Sequence, residues 1–194
     1  MVDLHEASAI EVATNIGPDA HGFGCDVANP DSVQACVDAV VAHFGRIDIL
    51  FNNAGRGNMA RVEDTPTDQW HSMFAVNVDS IFWLTARALP HMRTRNAGHI
   101  VAISSVAGRY GHPLNAAYVA AKHAVVGFMA ALRTELVGTN IHATTICPAG
   151  IITEWADAVH RACASAGTRR QASSSRSRWA AAVVRLSKPA CSSV

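Results

Sequence analysis

The sequence predicts an α/β fold, a doubly wound parallel sheet built as one domain, and three observations predict it. Short apolar runs recur at residues 47–51, 99–103 and 141–146, with the length and composition of strands buried on both faces. Longer segments with helical apolar spacing alternate with them, at 31–44, 67–91 and 115–137. Strands separated by helices of this length imply βαβ units and therefore parallel pairing. A chain of 194 residues, 49% hydrophobic and only 16% charged, can bury the core that such a sheet needs.

Taken in order, residues 3–15 have helical composition and stop at Gly17-Pro18. His21 to Cys25 is a short strand candidate. Asn29-Pro30 opens the helix 31–44, whose inward face carries Val33, Val37, Val40, Val41 and Phe44, and Gly45 closes it. The helix 67–91 starts at Thr67 and bears the stripe Trp70, Phe74, Ile81 and Leu84. The helix 115–137 is rich in alanine and ends at Gly138. Beyond about Ala164 the alternation stops, and the stretch from Gln171 to Arg178 is low-complexity. The expected organisation is a domain over 1–157 and a disordered basic tail over 158–194.

Charge and composition exclude several functions. Seven of the 16 basic residues lie after His160, where no acid occurs, leaving nine against 15 acids in the body. The tail has no aromatic interleaving and no amphipathic pattern, so neither nucleic acid nor a membrane is expected as a partner. No run of eighteen apolar residues is present, so no membrane span is expected. The start, Met1 to Glu6, lacks the basic and apolar regions of a signal peptide. Cysteines at 25, 36, 147, 163 and 191 form no CxxC pair, and the ten histidines show no ligand spacing. No metal is expected, and a reducing cytoplasm fits best.

The chemistry centres on Tyr118-Val-Ala-Ala-Lys122. Residues i and i+4 share a helical face, so phenol and ammonium can share one site. A phenol loses its proton near pH 10, and a nearby cation favours the phenolate, bringing that proton within reach of acid–base work. The same spacing also describes an ordinary surface pair, so the surroundings decide. Ser104-Ser105 follows the strand 99–103, and Asn52-Asn53-Ala54-Gly55 follows the strand 47–51. Both lie at carboxyl ends of parallel strands, where ligands bind in doubly wound sheets. Asn77 sits in an apolar helical stretch, where a buried amide must find partners or cost about 1–3 kcal/mol.

Together these residues resemble the short-chain dehydrogenase/reductase family, from Asp3 to about Trp155. The landmarks keep the family's order: Asp26-Val27, Asn52-Asn53-Ala54-Gly55, Asn77, Ser105, Tyr118-x-x-x-Lys122, and Pro148 with Thr153. The resemblance implies a Rossmann-like sheet and an oxidoreductase interconverting a secondary alcohol and a ketone by hydride transfer. It implies that Tyr118 exchanges a proton with the substrate oxygen and that Ser105, rather than Ser104, holds that oxygen. Lys122 would lower the tyrosine pKa and bond the nicotinamide ribose, and Asn77 would support a water-linked proton path behind it. For the cofactor it implies Asp26 and Val27 at adenine, Asn53 at its ribose, Ile151 and Thr153 at the nicotinamide end, and Asp3 at the adenosine 2′-hydroxyl. A carboxylate at that point repels a 2′-phosphate, which favours NAD over NADP. The resemblance also implies a homodimer or homotetramer formed through helices 67–91 and 115–137.

The sequence departs from the family in three places. The glycine-rich loop Thr-Gly-x-x-x-Gly-x-Gly, due some two dozen residues before Asp3, is absent, so the chain is expected to be truncated at its N-terminus. The strand that goes with it is expected to lie between those at 22–25 and 47–51, leaving both short of a neighbour. Pro148-Ala149-Gly150 stands where Pro-Gly is usual, and the Ser/Arg tail replaces a substrate-covering lobe. Two glycine patterns, Gly55-Arg-Gly57 and Gly22-Phe-Gly24, lack the strand–turn–helix setting of a phosphate loop. The competing reading is therefore an inactive fragment or pseudoenzyme that keeps only the oligomerisation surface.

Overall fold

A computed structural model describes residues 1–149 and the backbone of a strand at Ala182–Val184. Ile151 and Thr153, and the expected tail apart from Ala182–Val184, lie outside the described residues. The elements are β1 (Val2–Asp3), α1 (Glu6–Ile16), β2 (Phe23–Gly24), α2 (Pro30–Phe44), β3 (Ile49–Asn52), α3 (Thr67–Phe74), α4 (Ser80–Arg95), β4 (Gly98–Ile103), α5 (Ala116–Glu135), β5 (Ile141–Ile146) and β6 (Ala182–Val184). A π turn, Ala75–Asp79, joins α3 to α4 without a break.

The local signals that place these elements are on the page of the sequence. The Asn29 side chain accepts from the N–H groups of Asp31 and Ser32, and Pro30 fills the first turn of α2, where its missing N–H costs nothing. Gly45 ends α2 in the left-handed region at φ 73°, its N–H bonded to Val41 O. The strands follow β-branched and alanine runs, and β4 pairs in parallel with β5 over six positions, from Gly98↔Ile141 to Ile103↔Ile146. β3 pairs in parallel with β4 from Ile49↔His99 to Asn52↔Ala102.

Two expectations change. Residues 2–3 form a strand before the helix begins, and β1 pairs in parallel with β2 (Val2↔Phe23, Asp3↔Gly24). The strand at 23–24 is thus not left alone, because a two-residue segment before α1 reaches it. The other edge of β3 is also taken: β6 pairs with it antiparallel, Ile49↔Val184 to Phe51↔Ala182. The result is two sheets, β1-β2 and β5-β4-β3-β6. One apolar core nevertheless spans both, joining Val2 and Cys25 to Val33, Val37 and Val40 of α2 and on to Leu50, Ile81, Ile100 and Ile141. Burial of that continuous apolar surface is what holds the two sheets in one body. No helix among the described residues is long and apolar enough to cross a membrane.

Candidate active site

Parallel pairing brings the carboxyl ends of β3, β4 and β5 to one rim, and the candidate residues emerge there. Asn53 to Gly55 leave β3, Ser104 and Ser105 leave β4, and Cys147 and Pro148 leave β5. Backbone bonds hold the rim in shape, with Ser104 N–H donating to Ile146 O at 2.8 Å and Val106 N–H to Pro148 O at 2.8 Å. The helix α5 then lays Tyr118 and Lys122 across it.

The two serines part company. Ser104 turns inward, 3% exposed, and its hydroxyl donates to Lys122 O at 2.9 Å, pinning α5 to the end of β4. Ser105 is half-buried and is hydrogen-bonded to Tyr118. Its Oγ also accepts from Ala107 N–H at 3.1 Å, closing the tight turn Val106–Gly108. Gly108 is needed in that turn, since a Cβ there would fall 2.5 Å from Ser104 Oγ.

Lys122 is 4% exposed, and its ammonium donates to Ile103 O at 3.0 Å while lying 5.5 Å from the Tyr118 ring centroid. Burial lowers its pKa to about 8, with Cys147 pulling the other way. Burial pushes the Tyr118 phenol above its ordinary value, and the bond from Ser105 partly offsets this. Removing the phenolate from water is the largest influence on this phenol, and the Ser105 bond is the one that opposes it.

Asn77 is fully buried inside the π turn. Its Nδ2 donates to Arg56 O and to Met73 O, both at 2.9 Å, and its Oδ1 accepts from Arg56 N–H at 3.3 Å. The amide therefore ties the loop after β3 to the helix behind it. Gly55 lies in the gap, where a Cβ would stand 3.0 Å from Asn77 Oδ1 and 3.6 Å from Lys122 Nζ. The extra residue of the π turn is a common way to bring a side chain to a site that regular helical spacing would miss.

The cofactor-side candidates occupy the second sheet. Asp3 ends β1, and one of its carboxylate oxygens accepts from His5 N–H at 2.9 Å. Asp26 and Val27 follow β2, and Asp26 Oδ1 accepts from Ala28 N–H at 3.0 Å. Arg109 and His112, in the loop between Ser105 and Tyr118, are exposed. Sequence reasoning missed Ser104 as the residue that anchors α5, and it missed Asn52. Asn52 is 2% exposed, and both of its amide atoms lack a partner among the described residues. No group of three metal-ligating side chains occurs among the described residues.

These residues fit the ribose and nicotinamide end of a dinucleotide. The donors needed are a buried ammonium and an unpaired amide, and the cradle at Gly55 is one that a Cβ would fill.

Comparison with known proteins points the same way. Residues 1–164 match the family model described as short chain dehydrogenase. The chain is 39% identical over 156 residues to D-threitol dehydrogenase of Mycolicibacterium smegmatis, covering 79% of this chain and 60% of that one. It is 35% identical over 130 residues to D-beta-hydroxybutyrate dehydrogenase of Cupriavidus necator, covering 67% and 50%. A short chain dehydrogenase/reductase from Burkholderia phymatum, solved in complex with NAD, superimposes with a TM-score of 0.76 at 33% identity, over 82% of this chain and 59% of its own. The chain thus spans half to three-fifths of the length of these relatives.

Proposed function

We propose, from the premise that this chain belongs to the short-chain dehydrogenase family, that it carries the catalytic centre of an NAD-dependent oxidoreductase interconverting a secondary alcohol and a ketone. The observation that carries this reading is the contact of Ser105 with Tyr118, with the buried Lys122 ammonium 5.5 Å from the tyrosine ring. When bound, the nicotinamide supplies the site that gives or takes hydride. Ser105 Oγ and the Tyr118 hydroxyl bind the carbonyl oxygen of the substrate. Tyr118 donates its proton as negative charge develops on that oxygen, and accepts one in the reverse direction. A phenol held protonated by burial is ready for the donor role, so the reduction direction needs no prior proton movement.

Lys122 places a positive charge behind the tyrosine and offers its remaining N–H groups to the ribose. Asn77 acts as a positioning residue, fixing the loop that carries Asn53 and Gly55. Asp3 accepts from the adenosine 2′-hydroxyl and selects NAD over NADP, while Asp26, Val27 and Asn53 line the adenosine, with Ile151 and Thr153 serving the nicotinamide. Polyols and 3-hydroxy acids, the substrate types in the names of the two dehydrogenases above, are the first substrates to screen. The three described cysteines, Cys25, Cys36 and Cys147, are free thiols, which suits the cytoplasm. Copies of the chain associate through the faces of α3, α4 and α5, which expose Trp70 and Phe82 at 39% and 53%.

A second reading rests on one observation. The outer edge of β3 is occupied by β6, running antiparallel. On that reading the chain is an inactive member that only assembles. Calorimetric titration of the folded 194-residue chain with NADH, then NADPH, separates the two. Saturable binding with NADH the tighter ligand supports the enzyme. A cooperatively folded chain that binds neither leaves the assembly reading standing.

A further inference from the structure

Two thiols lie together outside the rim that carries Tyr118. Cys25 follows β2 and Cys36 sits on the inward face of α2, 4% and 5% exposed and in the same apolar cluster. Ser32, one helical turn before Cys36, bonds Cys25 in both senses. The Cys25 thiol donates to Ser32 O at 3.7 Å, and Ser32 Oγ donates to Cys25 Sγ at 3.8 Å. Both thiols are free, and each is the strongest influence on the other's ionisation, so the two lie close together. Two adjacent reduced cysteines in an otherwise apolar core are more than packing requires, because alanine or valine would fill the same space without a reactive group.

We propose that Cys25 and Cys36 form a reversible redox site, closed to an intramolecular disulfide by a small peroxide. The pair is chemically unequal. Cys36 lowers the Cys25 pKa, aided by Ser32 and opposed by burial, whereas Cys36 is held up by Cys25 and by burial. Cys25 is therefore the attacking thiolate. Its sulfur attacks one peroxide oxygen, the O–O bond breaks, and hydroxide leaves, giving the sulfenic acid of Cys25. Cys36 then gives up its proton, its sulfur attacks the Cys25 sulfur, the S–O bond breaks, and water leaves. In sum two thiols and one peroxide become one disulfide and two waters. The near-complete burial of both sulfurs selects a small oxidant over a bulky disulfide. The product would staple β2 to α2 next to Asp26, whose N–H donates to Ser32 Oγ at 2.9 Å.

The test uses the full chain treated with hydrogen peroxide, blocked with an alkylating agent, and digested without reduction for peptide mapping. A sample unfolded in urea and treated identically sets the level of pairing without structure. The expected result is a cross-linked Cys25–Cys36 peptide, enriched at least about tenfold over the unfolded sample because the groups are held in contact, and abolished by dithiothreitol. In Cys36→Ser, Cys25 should instead be trapped by dimedone as a sulfenic acid. The proposal is overturned if both cysteines remain alkylatable in the treated wild type. It is equally overturned if pairing in the folded chain matches the unfolded level, or goes to Cys147, Cys163 or Cys191.

Discussion

β4 and β5 are matched over six positions, whereas β1 and β2 are matched over two. The same contrast runs through the helices that accompany them. The inward face of α5 buries Ala117, Ala121, Lys122, Val125, Met129 and Leu132. By contrast α1 buries only Ala9 and Ala13 and leaves Ile10, Val12 and Ile16 exposed at 49%, 43% and 64%. The catalytic candidates stand on the well-bonded half, and the adenosine-side candidates Asp3 and Asp26 stand on the thin one. On the proposed reading, chemistry and cofactor grip are separable here: proton transfer would depend on a rigid rim, and dinucleotide affinity on a part held by few backbone bonds.

Four changes sharpen or break that comparison. Tyr118→Phe should have the largest effect, lowering turnover by ~10²–10⁴-fold while NADH affinity and melting temperature stay near wild type. A loss of binding of similar size, measured by calorimetry, would instead make Tyr118 a binding residue. Gly22→Ala tests the thin half. A Cβ there would lie 2.4 Å from Ile10 N and 2.5 Å from Ala9 C, both backbone atoms of α1 that have nowhere to go. The expected loss is about 3 kcal/mol of unfolding free energy in urea, the upper end for overpacking.

Lys122→Met should change the pH dependence of stability. The folded-state pKa of Lys122, about 8, lies below its ordinary value of 10.5, so the folded form disfavours the charge. That penalty is fully present below pH 8 and is relieved as pH rises toward 10.5, so wild-type stability should climb across this window by at most ~1.4 kcal/mol per pH unit. In Lys122→Met the climb should vanish. Above pH 10 the raised Tyr118 pKa acts in the opposite sense, its contribution being lost as the phenol ionises. Thermal unfolding across a pH series would read both signs. Ile10→Ser should be the mildest, within about 0.5 kcal/mol, because the side chain is already half in water. A larger loss by urea unfolding would show that α1 is covered in solution.

The half that carries Tyr118 and Lys122 was legible for a physical reason. Tyr118 and Lys122 share a helical face whatever the tertiary structure does, and Ser105 follows a strand whose apolar run is unmistakable. The π turn was not legible, because an extra residue between Ala75 and Asp79 leaves no mark on the spacing of Phe74 and Ile81. Nor was the orientation of Lys122. Its chain position announces a cation near Tyr118, but not that Ile103 O takes its hydrogen bond or that burial dominates both pKa values. Spacing predicts no strand at Val2–Asp3, since two residues carry no periodicity, and that strand pairs with Phe23–Gly24. Proline, asparagine and glycine marked the ends of α2 faithfully, their signals being local.

The join between the two sheets has one more consequence, and it concerns temperature. No strand pairing links β1-β2 to β3, β4 and β5 among the described residues, so the apolar face of α2 provides the connection. Apolar attraction weakens on cooling, while paired backbone groups lose far less. The cold flank of the stability curve, rather than the hot one, is where the adenosine-side lobe should part first from its neighbour.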